Sequence, residues 1–358
     1  MLPSKLRVAV VGCGYWGPNL IRNFSSLTED CDMSVVCDQD TRRLNHVKRL
    51  YPWVQALSDY EEVLARPEID IVAIVTPVST HYDMARRSLL AGKHTFIEKP
   101  MARSTDECAE LIRLAESKGL VLMVDHTFIY SSPVRYAREV IERGDLGKIQ
   151  YISSRRLNLG LFQKDINVAW DLAPHDLSII LYLLDAEPIG VNCQGVCHLN
   201  GQEDVVNMSV RFSDGSFATI HNSWLDPNKI REMTIVGSRK MLCYDDTQPN
   251  EKIKIYDKHV EAPPHYDTYA EFHFSYHYGD MITPYIHQTE PLKTECQHLI
   301  ACIRNGETPL TGGLNGLRVV QILEAASASL RKNGAHVPIK RMDHQFSPGI
   351  DKREASVA

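Results

Sequence analysis

The apolar run Leu6–Val11 passes directly into Gly12-x-Gly14-x-x-Gly17 and then Pro18, and few sequence features restrict a fold more tightly. A strand ending in a glycine-rich turn that opens a helix is the first half of a dinucleotide-binding βαβ unit. Gly12 makes the turn, Gly14 lets backbone approach a pyrophosphate, and Gly17 lets the helix pack close to the strand. Tyr15 and Trp16 lie in the same turn, beside the unpaired N–H groups of the helix start that face the phosphates, and Pro18 suits the first helical position. A second strand ends at Asp38, where an acid accepts hydrogen bonds from the ribose hydroxyls of adenosine. That carboxylate repels the extra phosphate of NADP, so NAD is the expected cofactor. Arg42 and Arg43 follow closely enough to accommodate that phosphate, but read first as a solvated helix face.

Beyond the motif, short apolar runs (Met33–Cys37, Ile69–Val75, His94–Ile97, Leu120–Val124) alternate with amphipathic segments of helical length such as Ser104–Lys118. The alternation predicts an α/β Rossmann domain with a parallel sheet over residues 1–125. Thr76-Pro77 closes the third run at the carboxyl edge, where ligands of such sheets collect; His81 either borders the cofactor or caps the next helix. From about residue 148 extended runs follow one another (Ile149–Leu157, Val206–Phe212, Phe217–Trp224, Met233–Val236, Met241–Tyr244, Lys252–Tyr256), with a Ser-Asp-Gly-Ser turn at 213–216. They predict an α+β second domain over 126–340 built on an open, largely antiparallel meander, with helices Pro133–Arg143, Pro174–Leu184, Thr294–Asn305 and Leu314–Lys332, and a polar tail over 341–358. The C-terminal helices have the option of packing back on the first domain.

A chain of 358 residues accommodates two domains at about 150 residues each. With 39 Lys+Arg against 45 Asp+Glu, nothing global draws it to nucleic acid or an acidic membrane surface. The apolar runs are too short for a signal peptide core or a membrane span, which predicts a cytoplasmic protein. The nine cysteines are scattered and suit reduced core thiols; Cys193 and Cys197 lack a second pair at zinc spacing, so no metal is expected there. The segment His265–His287 is dense in His and Tyr but lacks clean ligand spacing, and reads as a loop beside the site.

Two further motifs carry chemistry: Glu98-Lys99-Pro100 after the strand His94–Ile97, and Asp171 followed by His175 in Trp170-Asp171-Leu172-Ala173-Pro174-His175. With the glycine motif, in this order, they make the chain resemble the glucose–fructose oxidoreductase, inositol dehydrogenase and rhizopine-catabolism (Gfo/Idh/MocA) oxidoreductase family from residue 6 to about 332. The resemblance implies that Lys99 and His175 flank the carbon that exchanges hydride with nicotinamide, with Asp171 beside them. It also places a polar residue, here His126, near the nicotinamide, and groups Glu98 and Trp170 with the cofactor site.

The residues make chemical sense independently. Hydride leaving a carbinol carbon needs a base for the hydroxyl proton and a cation near the developing oxyanion, and His175 and Lys99 supply both. Pro174 is expected in a first helical turn, which would put His175 at the positive helix end and hold it neutral. Asp171 then either orients the imidazole or caps the helix. Lys99, extended by Pro100, is aimed off the strand end; its plainer reading is an ion pair with Glu98 or Asp70. Arg156 and Asn158 share one strand face and either meet substrate or lie on an exposed sheet edge.

Asp-His-Thr-Phe-Ile-Tyr (125–130), together with the segments around Asn158 and His175, resembles family members of nucleotide-sugar pathways. That implies oxidation at C3 of a UDP-linked hexose to a 3-keto sugar, which a PLP aminotransferase then aminates. The alternatives are a reductase of keto-sugars, a free polyol or inositol dehydrogenase, and a non-catalytic sensor of sugar or NAD. The resemblance also implies a homodimer or homotetramer through the second sheet, with Met208, Val210 and Phe212 read as its outward residues.

Overall fold

Six strands lie parallel in the order β3-β2-β1-β4-β5-β6: β1 (Leu6–Val11), β2 (Cys31–Cys37), β3 (Gln55–Leu57), β4 (Ile71–Ile74), β5 (His94–Glu98) and β6 (Leu122–Asp125). The chain is seen in a computed structural model that describes residues 5–163, 165–199, 201–261 and 274–340. The central strand β4 is wholly apolar and buried because both faces of the sheet are covered. The helix Gly17–Ser26 packs one face through Leu20, Ile21 and Phe24, joined by Leu292, Cys296 and Leu299 of the helix Pro291–Asn305. Helices Val78–Leu90 and Thr105–Lys118 cover the other, together with Leu317 and Val320 of the helix Gly313–Leu330. The chain thus returns to complete the first domain's core.

The glycine turn is as tight as its spacing demands. Gly12 has φ of +102°, and a Cβ there would lie 2.3 Å from the carbonyl oxygen of Val75; a Cβ on Gly17 would lie 2.1 Å from that of Gly12. The turn therefore brings the helix start against β1 and β4, and the carboxyl ends of β1, β2, β4, β5 and β6 open on one edge.

The second sheet has nine strands in the order β14-β13-β12-β11-β7-β10-β9-β8-β15. They are β7 (Ile149–Leu159), β8 (Pro188–Val196), β9 (Val205–Phe212), β10 (Phe217–Ser223), β11 (Leu225–Gly237), β12 (Met241–Asp245), β13 (Ile253–Glu261), β14 (Ser275–Ile282) and β15 (Val337–Pro338). It is largely antiparallel but not a simple meander, because β10 pairs parallel with β7, Asn222 opposite Arg156. A parallel neighbour requires a crossover, and the helix Val168–Leu184 with β8 and β9 provides it.

Two sequence expectations are corrected here. Pro174 is not in a first turn: Asn167 caps the helix, its side chain accepting from Trp170 N, and Pro174 lies inside Val168–Leu184. His175 is therefore two turns from the positive end. Met208, Val210 and Phe212 do not face outward either. They are 2 %, 0 % and 2 % exposed and pack with Val191, Ile220 and the helices, since the apolar face of a half-covered sheet must go to its helices. The residues between them, Asn207, Ser209 and Arg211, take the other face.

The tail 341–358 and residues 262–273 of the His- and Tyr-rich segment lie outside the described residues. Its later part, expected as a loop, forms strand β14. Among the described residues no helix is long and apolar enough to cross a membrane.

The two glycines of the turn separate stability from binding. A Cβ on Gly14 would meet nothing nearer than Arg43 Nη1 at 3.6 Å, so Gly14→Ala should melt like the wild type while losing NAD affinity. Gly12→Ala should cost at least about 1–3 kcal/mol of stability from backbone strain alone. Thermal denaturation and NAD titration of both variants check this.

Candidate active site

A cleft of about 1050 Å³ runs along the carboxyl edge of the parallel sheet, lined at one end by Asp38, Ser58 and Arg43 and at the other by Glu98, Lys99 and Asp171. Gly12, Gly14, Tyr15, Trp16, Thr76 and Pro77 line it between. Gly17 does not reach the cleft; it packs under the turn. Asp38 sits where the ribose would be held, its carboxylate accepting from Cys13 N at 2.7 Å and Asp40 N at 2.8 Å. Arg43 lies 3.6 Å from that carboxylate and lines the cleft, whereas Arg42 points to solvent and pairs with Asp40. The open face of Gly14, the acid at the end of β2 and the cleft's length fit a dinucleotide.

At the far end the two domains meet through Lys99. Its Nζ donates to the carbonyl oxygen of Asp171 at 2.8 Å and lies 3.4 Å from the Asp171 carboxylate. Pro174, inside this helix, lacks the N–H that would bond to the carbonyl of Trp170, one residue before the carbonyl that Lys99 uses. The partner of Lys99 is thus neither Glu98 nor Asp70. The other Asp171 carboxylate oxygen accepts from Trp224 Nε1 at 3.0 Å, so Asp171 holds Lys99 and neither caps the helix nor orients His175.

Around this ammonium lie groups whose charge burial controls. His175 is held well below the usual histidine range, first by burial and then by the cations Lys99, Arg156 and Arg231. It is neutral as expected, but its burial and these cations do the work that the helix end was expected to do. Its Nδ1 has no partner among the described residues, and its ring meets Phe128 edge-on at 5.2 Å. His126, after β6, is 1 % exposed; burial and Lys99 push its pKa down to about 3, and neither ring nitrogen has a partner among the described residues. Glu98 is pushed up to about 8, by burial and then by Asp125. Burial likewise raises Asp125, although Trp16 Nε1 donates to it at 2.7 Å, and raises Glu295 beside it. An unpartnered neutral imidazole beside a fixed ammonium can accept a proton while the ammonium steadies a nascent oxyanion.

Three candidates lie elsewhere than expected. His81 neither borders the cleft nor caps a helix: it is buried between Pro100 O, 2.9 Å from Nδ1, and Thr76 O, 2.8 Å from Nε2, tying the turn after β4 to the one carrying Lys99. Trp170 donates its indole N–H to Ser327 at 2.8 Å and lines a neighbouring pocket rather than the cleft. Arg156 is committed to a buried ion pair with Asp176, at 3.0 Å, which Asn222 also contacts, and it stacks over Phe128 at 4.7 Å. Asn158 is half-buried, its Oδ1 without a partner among the described residues. Sequence reasoning missed Phe128, Asp176, Asn222, Trp224 and Arg231.

The Rossmann cleft, with Lys99 at one end and His175 and His126 under the charge of that lysine, is that of an NAD-binding oxidoreductase. Residues 6–126 match the model of the oxidoreductase family with NAD-binding Rossmann fold, and residues 134–243 match the GFO/IDH/MocA C-terminal domain, so the chain belongs to the GFO/IDH/MocA family. It is 29% identical over 267 residues to UDP-N-acetylglucosamine 3-dehydrogenase from Acidithiobacillus ferrooxidans, covering 72% of this chain and 79% of that one. It is 26% identical over 351 residues to the scyllo-inositol 2-dehydrogenase (NAD(+)) of Bacillus subtilis, covering 94% and 97%. The solved structure of the Acidithiobacillus enzyme superposes with a TM-score of 0.79 at 23% identity, over 93% of this chain and all (100%) of that one. The chain is thus an NAD-binding oxidoreductase of this family.

The half-buried acid at the end of β5 gives a pH signature. Glu98 holds its proton up to about pH 8 in the folded chain but only to about 4.5 when unfolded, so the folded state binds more protons between these values. Its contribution to stability must therefore decline as pH rises from about 4.5 to 8. Glu98→Gln should flatten that decline in melting temperature measured across pH without NAD; an unchanged slope would place the effect in other groups.

Proposed function

We propose that the enzyme oxidises a secondary hydroxyl, at C3 of a UDP-linked hexose, to a 3-keto sugar. Bound NAD supplies the hydride acceptor. His175 takes the hydroxyl proton, the Lys99 ammonium steadies the oxygen as charge builds on it, and Asp171 keeps Lys99 in place. His126 and Glu98 complete the polar wall at the nicotinamide, and Asn158 offers an unpartnered acceptor towards substrate. The observation that carries this reading is the Lys99–Asp171 contact beside a half-buried, neutral His175 whose Nδ1 is enclosed. The relative that acts on UDP-N-acetylglucosamine supports the nucleotide sugar. Its 3-keto product is one that a PLP aminotransferase can consume, and a homodimer or homotetramer in the cytoplasm suits such an enzyme. A free polyol is the second reading, favoured by the inositol dehydrogenase, which matches over more of both chains.

Reduced-nicotinamide absorbance with NAD and a panel of UDP-hexoses, UDP-N-acetylhexosamines and inositol, an aminotransferase draining the ketone, tests the substrate. Turnover with one UDP-sugar alone supports the reading; turnover with inositol alone replaces it. Silence with NAD bound would point to keto-sugar reduction or a sensor. For the mechanism, kcat/KM should fall with acidity only below the usual histidine pKa of about 6.5, because His175 is depressed. His175→Ala should abolish that limb and lower kcat by about 10²–10⁴-fold. A surviving limb would move the proton-acceptor role to Lys99.

A further inference from the structure

The outermost hairpin of the second sheet gathers side chains that the reaction does not use. β13 and β14 pair antiparallel with His259 directly opposite His277, and the register slips between Tyr256 and Lys258, which puts Asp257 on a bulge. The bulge throws Asp257 across β14, so that its Oδ2 lies 3.3 Å from His277 Nε2. Room for it exists only because residue 279 is glycine: a Cβ there would lie 2.5 Å from Oδ2 and 2.9 Å from the Asp257 Cβ. Gly279 does not adopt a positive φ, so the missing side chain serves space and not backbone conformation.

The two imidazoles stack with centroids 4.6 Å apart at 30°. One donor atom from each of Asp257, His259 and His277 lies within 4.8 Å of the others. His259 Nε2 also pairs with Glu261 at 3.1 Å, while its Nδ1 is enclosed and has no partner among the described residues. Lys258 turns its ammonium the other way, over the rings of Tyr256 and Tyr278. Two imidazoles and a carboxylate, with a second carboxylate behind one imidazole and the lysine on the opposite face, form a donor set for a first-row divalent ion and not for calcium or magnesium.

We propose that Asp257, His259 and His277 bind one divalent transition-metal ion of the zinc class, with Glu261 orienting His259. Tetrahedral donors at about 2.0 Å from zinc stand about 3.3 Å apart, and turning the half-exposed His277 ring about its Cβ–Cγ bond closes the remaining gap. Every residue of β14 is exposed and the strand pairs with β13 alone, so the ion acts as a clip on a sheet edge. The sequence hides this site because its acid precedes the histidine-rich segment and reaches it only through strand pairing.

The test uses the full chain, stripped with a chelator and titrated with Co²⁺, read by its visible d–d absorption, and with Zn²⁺ in competition with a chromophoric chelator. One equivalent should bind to the wild type. His277→Ala removes a ligand, and Gly279→Ala keeps every ligand but displaces Asp257; each should weaken binding by about tenfold or more, with dehydrogenase turnover and NAD affinity unchanged. No stoichiometric uptake by the wild type, or equal uptake by both variants, would overturn the proposal, the latter by placing the cation on other histidines.

Discussion

One ammonium holds the two halves of this enzyme in register. Lys99 leaves the end of β5 and ends on a carbonyl and a carboxylate of Asp171, in a helix that belongs to the other sheet. With its side chain 12% exposed, this cation would be costly if unpaired, so its partner cannot be dispensable. The proline inside that helix leaves the carbonyl of Trp170 without its helical donor, so the turn that carries Asp171 has one internal hydrogen bond fewer while Lys99 holds it from the other domain.

The same ammonium sets the charge of its surroundings. Burial alone would neutralise both histidines and the carboxyls around it; Lys99 adds to that effect on His126 and His175 and opposes it on Glu98. The result is a pocket floor of neutral imidazoles and raised carboxyls beneath the charges of Lys99, Arg156 and Arg231. Positive charge placed there in advance favours an alkoxide over an alcohol.

Much of this was legible in the chain. The glycine turn, Asp38 and the alternation of strand and helix depend on local sequence, and they appear where the spacing puts them. Lys99, Asp171 and His175 were recognisable by motif, but their mutual roles were not, because proline at 174 was assigned by its usual preference and not by tertiary need. Met208, Val210 and Phe212 show a second limit. Alternation reveals that a strand has two faces but not which is inward, and only the helices Val168–Leu184 and Gly313–Leu330 decide that. Arg231 and Trp224 join the site through strand pairing over long sequence distances, which leaves no local signature.

The helix Gly313–Leu330 gives Leu317 and Val320 to the first domain's core and Val319, Ile322 and Leu323 to the second's, while Leu292 and Leu299 cover the first sheet from the helix before it. The nucleotide-binding half is therefore not a detachable module. Cut after β6, it would present two raw apolar surfaces to water, and the last third of the polypeptide would have to arrive before the first could be finished. In a chain made from its N-terminus onward, the part that announces its fold earliest is among the last to be sealed.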